Sequence, residues 1–131
     1  MRAVVDFVHR AATVLRTVIG APDYERYLAD NQPATTPEDR GRQIYEKKGC
    51  NSCHTIDGTT KIGPSFKGSW GTTINTAQGP VKFDENYVRE SVLTPTAKYR
   101  PGFPVGSMPS FEGQLKEADI EGIIAWMKTL K

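Results

Sequence analysis

Residues 50–54 read Cys-Asn-Ser-Cys-His, and no other stretch constrains the fold of this chain so strongly. The two cysteines stand three positions apart, so on one helical turn both thiols project the same way, and His54 follows the second at once. These are the only two cysteines among 131 residues. Two thiols on one face can add to the two vinyl groups of a single haem while the adjacent imidazole reaches the iron, and a C-x-x-C-H run is the signature of that covalent attachment. Three plainer readings fit less well. A thioredoxin-like dithiol needs a βαβ pattern, which the downstream sequence lacks. A structural zinc site normally needs four protein ligands, and the only other histidine, His9, lies in a separate helical stretch. A disulfide between Cys50 and Cys53 would close too short a loop to stabilise much.

A covalently held porphyrin also answers a size problem. With 37% hydrophobic residues the chain suits one small domain plus an appendage, and such a core needs reinforcement. A buried porphyrin adds apolar surface, so a domain of about 90 residues can be held by few helices, with an apo form that is largely unfolded. The net charge of +2, from 17 Lys and Arg against 15 Asp and Glu, leaves no nucleic-acid footprint. Docking of partners then depends on local charge, for which Lys47, Lys48, Lys61, Lys67 and Lys98 are candidates.

Val4, Val5, Val8, Ala11, Ala12, Leu15, Val18 and Ile19 recur at helical spacing with polar residues between them, which predicts an amphipathic helix ended by Gly20. Asp6, His9, Arg10 and Arg16 interrupt its apolar run, so it is neither a membrane span nor a good signal peptide. Its basic face is compatible with a membrane surface or an acidic partner, but packing of its apolar stripe on protein is the favoured reading. Pro22 can open a short second helix carrying Tyr24, Tyr27 and Leu28, and a Pro/Thr linker follows, which divides the chain into residues 1–35 and 36–131. Thr36 is an N-cap ahead of Pro37, Glu38 and Asp39, and that helix runs through Gly41, Ile44 and Tyr45 to Gly49. Asp84 caps a helix that Pro95 ends, and Lys116 to Leu130 forms the last helix, with Ile120, Ile123, Ile124, Met127 and Leu130 as its stripe. A glycine facing an aromatic-bearing stripe permits close approach, so the Gly41 helix is expected to cross the Trp126 helix. No run of alternating strands occurs, and Thr72 to Val81 is a candidate hairpin because Gln78-Gly79-Pro80 is turn-like.

Residues 98–111 hold Pro101, Pro104, Pro109, Gly102, Gly106 and Met108, which excludes regular helix. Prolines remove backbone freedom, so a weak thioether ligand at Met108 can be held at the iron without a large ordering cost. Met1 is terminal, Met127 belongs to the last helix's core stripe, and His9 is the main rival. His54 and Met108 together close the iron's coordination and raise its potential, which suits an electron carrier and not an enzyme. A haem-based sensor or peroxidase domain with a labile Met108 is the alternative.

The ordered set Gly41 and Tyr45, Cys50 to His54, Gly63-Pro64, Tyr99-Arg-Pro-Gly102, Met108 and Ile123-Ile-Ala-Trp126 resembles the class I c-type cytochromes over about Pro37 to Lys131. The resemblance implies an all-α class I cytochrome c fold, with crossed N- and C-terminal helices around one haem c, here preceded by the amphipathic extension. It also implies that the Pro64 carbonyl accepts the free ring N–H of His54, and that Phe66, Trp70, Leu93 and Phe111 line the haem. The runs Tyr87 to Pro95, Gly102 to Phe111 and Gly113 to Leu115 are similar to the haem c domain fused to subunit II of some terminal oxidases, and to the monohaem subunit of alternative complex III. That narrower likeness implies a quinol-oxidising complex as donor, a terminal oxidase as acceptor, and a place in the periplasm or on the outer face of a bacterial inner membrane. The likeness to the oxidase subunit is expected to be partial, because residues 1–35 show neither a copper-binding cupredoxin pattern nor a transmembrane hairpin. Val14 to Leu28 instead resembles short cytosolic proteins encoded beside carbon-starvation peptide transporters. Haem c attachment implies export, and residues 1–30 carry no visible export signal but could dock a membrane surface or a subunit.

Overall fold

The computed structural model describes residues 10, 13, 14, 17 and 18 and residues 20–131. The expected stripe of Val4, Val5, Val8, Ala11, Ala12, Leu15 and Ile19, and the rival ligand His9, lie outside the described residues. Val18 is described, helical and exposed. The chain divides into two compact units, residues 1–33 and 34–131. In the first, Pro22 opens helix α1, Ala21–Asn31.

The second unit begins with a capped helix, α2, Pro37–Lys47. The Thr36 hydroxyl accepts the Asp39 N–H at 3.1 Å, and Glu38 and Asp39 sit at the positive end of the helix dipole. Gly49, at φ 77°, turns the chain through the left-handed region into the single turn α3, Cys50–Cys53. Strands β1, Thr73–Thr76, and β2, Gly79–Lys82, pair antiparallel with Ile74 opposite Val81 and Thr76 opposite Gly79. Gly79 and Pro80 therefore belong to the second strand, and the turn is made one step earlier, by Ala77 and Gln78. The fold is mostly helical, and the all-α expectation is amended by this small sheet.

Helix α4, Glu85–Leu93, starts where the Asp84 carboxylate accepts the Tyr87 N–H at 3.0 Å, and it ends before Pro95. Helix α5, Glu117–Met127, starts where the Asp119 carboxylate accepts the Lys116 N–H at 2.9 Å. The expected run to Leu130 stops three residues early. Thr129 and Leu130 donate to the carbonyls of Trp126 and Met127, the tighter i to i−3 pattern that commonly closes a helix.

The contact of α2 with α5 sets the frame of the site. A Cβ on Gly41 would stand 2.1 Å from the Gly122 carbonyl oxygen and 2.7 Å from Trp126 Cβ, and one on Gly122 would stand 2.9 Å from the Pro37 carbonyl oxygen. Backbone meets backbone there, which only paired glycines allow. Arg40 and Asp119 add an ion pair at 2.8 Å across the same contact. Around it lies the core: Ile120, Ile123, Ile124, Trp126 and Met127 from α5, Val88 and Val92 from α4, with Ile74, Phe83, Phe111 and Leu115. Among the described residues, no helix is long and apolar enough to cross a membrane.

Candidate functional site

Below the α2–α5 contact is a cavity of about 290 Å³, walled mostly by apolar side chains. Cys50 and Cys53, half-buried free thiols one helical turn apart, both lie on its wall. Burial pushes the Cys50 thiol up, which keeps it neutral against the apolar wall. The turn ends at His54, whose N–H donates to the Cys50 carbonyl at 2.9 Å.

The His54 ring is held on several sides. Its Nδ1 lies 2.8 Å from the Pro64 carbonyl oxygen. A carbonyl can only accept, so Nδ1 carries the proton and Nε2 keeps a free lone pair. Phe66 stacks on the ring at 4.6 Å between centroids and 23° between planes. Gly63 fits closely against the ring, where a Cβ would stand 2.5 Å from His54 Cε1. Burial pushes the imidazole pKa down, against a smaller upward pull from the Pro64 carbonyl, and the neutral ring is the form that can bind a metal.

The loop that supplies Pro64 is fastened to the Cys-His turn. Gly63 N–H donates to the Cys53 carbonyl at 2.9 Å, Phe66 N–H to the Thr55 carbonyl at 2.8 Å, and the Ser65 hydroxyl to the same Thr55 carbonyl at 3.1 Å. The Tyr45 hydroxyl reaches from α2 to donate to the His54 carbonyl at 2.7 Å. Tyr45 also packs its ring 4.9 Å from that of Trp126, so α2, α5 and the Cys-His turn are tied at one residue.

Met108 is partly buried and lies on the cavity wall, delivered by the proline-rich loop that follows α4. That loop is anchored downstream, where Phe111 N–H donates to the Val92 carbonyl at 3.0 Å and the Ser110 hydroxyl to the Leu93 carbonyl. Met127 borders the cavity too, but it is 3% exposed and sits within the core cluster of α5.

Cys50, Cys53, His54, Pro64, Phe66, Met108 and Phe111 thus come together around one space. Trp70 and Leu93, expected beside them, do not line it. On α4 the cavity face carries Val88 and Val92, spaced i, i+4, and Leu93 falls one position past that stripe. Phe83 is on the wall where Trp70 was expected, and Trp70 meets it edge-on at 6.3 Å between centroids, with the Lys128 ammonium 5.1 Å over the indole. Tyr87, Tyr99 and Phe103 are further wall residues, contained in the quoted motifs but not expected to line the haem. The spacing of Val88 and Val92 after the Asp84 cap was the signal available for α4.

This donor set fits a haem c. Two neighbouring thiols can form the thioether links, a neutral imidazole has a free Nε2, a thioether sulfur lies on the same wall, and the space between is apolar. The cytochrome c family model matches residues 38–131. Cytochrome c2 of Rhodoplanes tepidamans is 31% identical over 93 residues, covering 63% of this chain and 91% of that protein. Cytochrome c2 iso-1 of Magnetospirillum fulvum is 29% identical over 93 residues with the same coverage. Cytochrome c oxidase subunit 2 of Alkalihalophilus pseudofirmus is 29% identical over 104 residues, which cover 76% of this chain. The match spans 28% of that oxidase subunit's length.

Proposed function

The chain belongs to the cytochrome c family, with one haem c bound covalently through Cys50 and Cys53, and from that premise we propose that it is an electron carrier ligated by His54 and Met108 that serves a respiratory terminal oxidase. The bound haem supplies a one-electron ferric/ferrous couple. The residues of the chain do the rest. Pro64 fixes the tautomer and direction of His54, Phe66 and Gly63 fix the ring plane, and the apolar wall excludes water from the electron's resting place. Met108 fills the remaining position with a soft, neutral donor that favours the reduced state.

The observation that carries the ligand assignment is the His54–Pro64 contact at 2.8 Å, which aims a free Nε2 away from Pro64, with Met108 on the wall of the same cavity. The likeness to an oxidase subunit 2 supports the acceptor, and a quinol-oxidising complex is the matching donor. A role between such partners would lie in the periplasm or on the outer face of a bacterial inner membrane, with residues 1–30 proposed to dock a membrane surface or a subunit.

Replacing Met108 by Ala is expected to abolish the thioether–ferric iron absorption band, lower the reduction potential and let carbon monoxide bind rapidly to the reduced protein. Because Met127 also borders the cavity, Met127→Leu is the companion variant. Loss of the band in Met127→Leu with its retention in Met108→Ala would sink the assignment. Rapid carbon monoxide binding by the unsubstituted protein would favour a sensor or peroxidase.

A further inference from the structure

The loop that braces His54 carries a second chemistry, in which the haem has no part. Asp57–Gly58 is the sole Asp-Gly pair among 131 residues, and the chain has no Asn-Gly pair. Glycine has no side chain to shield its amide nitrogen, so an Asp-Gly pair is where a backbone most readily attacks its own side chain. Both residues are exposed, and a Cβ on Gly58 would meet Lys67 Cδ at 3.9 Å and nothing closer.

Hydrogen bonds occupy both of the groups that would react. The Gly58 N–H donates to the Ser65 hydroxyl at 3.0 Å, which fixes the peptide plane and keeps the proton on the nitrogen. One Asp57 carboxylate oxygen accepts the Thr59 N–H at 2.9 Å and the Thr59 hydroxyl at 2.6 Å. Those bonds favour the ionised carboxylate, which is a poor electrophile. The Ser65 hydroxyl also donates to the Thr55 carbonyl at 3.1 Å and accepts the Lys67 N–H at 3.3 Å. Ser65 follows Pro64, whose carbonyl holds the His54 ring, so the Asp57–Gly58 turn and the His54 brace share an anchor.

We propose that Asp57–Gly58 is a self-modification site, converting to isoaspartate through a succinimide, and that the Ser65 hydroxyl holds it shut in the folded protein. In the first step the Gly58 amide nitrogen bonds to Asp57 Cγ and gives up its proton, while a carboxyl C–O bond breaks and the oxygen leaves as water. In the second, water enters the ring. Attack at Cγ restores aspartate, and attack at the Asp57 main-chain carbonyl leaves the chain running through Cβ and Cγ. Water lost equals water gained, and no oxidant or other reactant is required.

Isoaspartate lengthens the main chain by an extra carbon between Thr55 and Thr59. The Thr55 hydroxyl donates to the Thr59 carbonyl at 2.5 Å, and the Thr55 carbonyl accepts the Phe66 N–H at 2.8 Å. The added carbon therefore falls inside the bonded frame that presents Pro64 and Phe66 to His54.

The test is the rate at which residue 57 becomes isoaspartate when the haem-loaded protein is kept in warm, mildly acidic buffer. An endoproteinase that cuts before aspartate but not before isoaspartate reads the extent. Ser65→Ala is expected to raise the rate about fivefold, the factor equivalent to one hydrogen bond of ordinary net worth, and Ser65→Thr should keep it near the unsubstituted value. Tyr45→Phe frees the His54 carbonyl in the same loop without touching Gly58, and should leave the rate unchanged. In denaturant all of these proteins should converge on one faster rate. An unchanged rate in folded Ser65→Ala would overturn the proposal, and so would equal acceleration by Tyr45→Phe, which would assign control to the loop as a whole. Equal rates for the unsubstituted protein folded and in denaturant would overturn it whether or not Ser65→Ala folds.

Discussion

The two loops that bring His54 and Met108 to the cavity are built on different principles. The His54 loop is gripped: Pro64 holds the ring, Tyr45 holds the His54 carbonyl, and Gly63, Ser65 and Phe66 are bonded to Cys53 and Thr55. The Met108 loop is bonded mainly at its ends, where the Tyr99 carbonyl accepts the Ala77 N–H at 2.9 Å and Phe111 N–H donates to the Val92 carbonyl. Between those anchors the bonds are local turns, Phe103 to Arg100 at 3.3 Å and Ser107 to Pro104 at 3.4 Å. The chemistry of the two side chains explains the contrast. An imidazole has a second nitrogen that can be held by hydrogen bonding, whereas a thioether has no donor and is a weak acceptor. The thioether must be placed by its backbone, which is what Pro101, Pro104 and Pro109 provide.

The largest expected effect is from steric intrusion on the gripped side. Gly63→Ala would set a Cβ 2.5 Å from His54 Cε1 and 2.7 Å from Nδ1, and should cost about 3 kcal/mol in denaturant unfolding while displacing the ring from Pro64. Gly106→Ala on the other loop meets nothing within 4 Å and is strained only by its φ of 77°, so about 1 kcal/mol is expected. Equal losses would erase the distinction between the loops. Next comes Tyr45→Phe, which removes the hydroxyl from the His54 carbonyl and should cost about 1 kcal/mol, with a changed potential because the backbone of the proposed ligand is released.

The same contrast governs what the sequence could reveal. Local chemistry was legible: the caps at Thr36 and Asp84, the Cys50–His54 turn and the proline-rich Met108 loop each depend on neighbours within a few positions. Long-range partners were legible only in part: the approach of Gly41 to the Trp126 helix was expected, its counterpart was not. Gly41 marked a close approach, but Gly122, which receives it, is far along the chain and looks like an ordinary helix glycine until α2 and α5 are packed. Phe83 and Trp70 are both large aromatics near the hairpin, and only tertiary packing decides that Phe83 borders the cavity. Leu93 and Val92 differ by a 100° step on α4, too fine a distinction for a motif without the helix's rotation.

Two smaller effects probe how each loop keeps its shape. Pro104→Ala should lower stability by about 0.5 kcal/mol, acting mainly through the greater freedom of the unfolded chain, and should speed carbon monoxide entry in the reduced protein as Met108 is less tightly placed. The His54 loop should instead respond to acid. The Asp57 carboxylate accepts the Thr59 hydroxyl at 2.6 Å and its N–H at 2.9 Å, and these bonds hold its pKa below the ordinary Asp value. A carboxyl whose folded pKa is depressed stabilises the fold above its unfolded pKa, and that contribution is lost as pH falls through the folded value. Stability should therefore decline below about pH 4 in part through Asp57, and Asp57→Asn should remove that part of the slope. Its small size follows from the exposure of Asp57, where solvent screens the charge and leaves hydrogen bonds, chiefly those from Thr59, to distinguish folded from unfolded chain. If acid changed the rate of Met108 release before it changed His54 ligation, the proline-braced loop would be the pH-sensitive one and the contrast would have to be reversed.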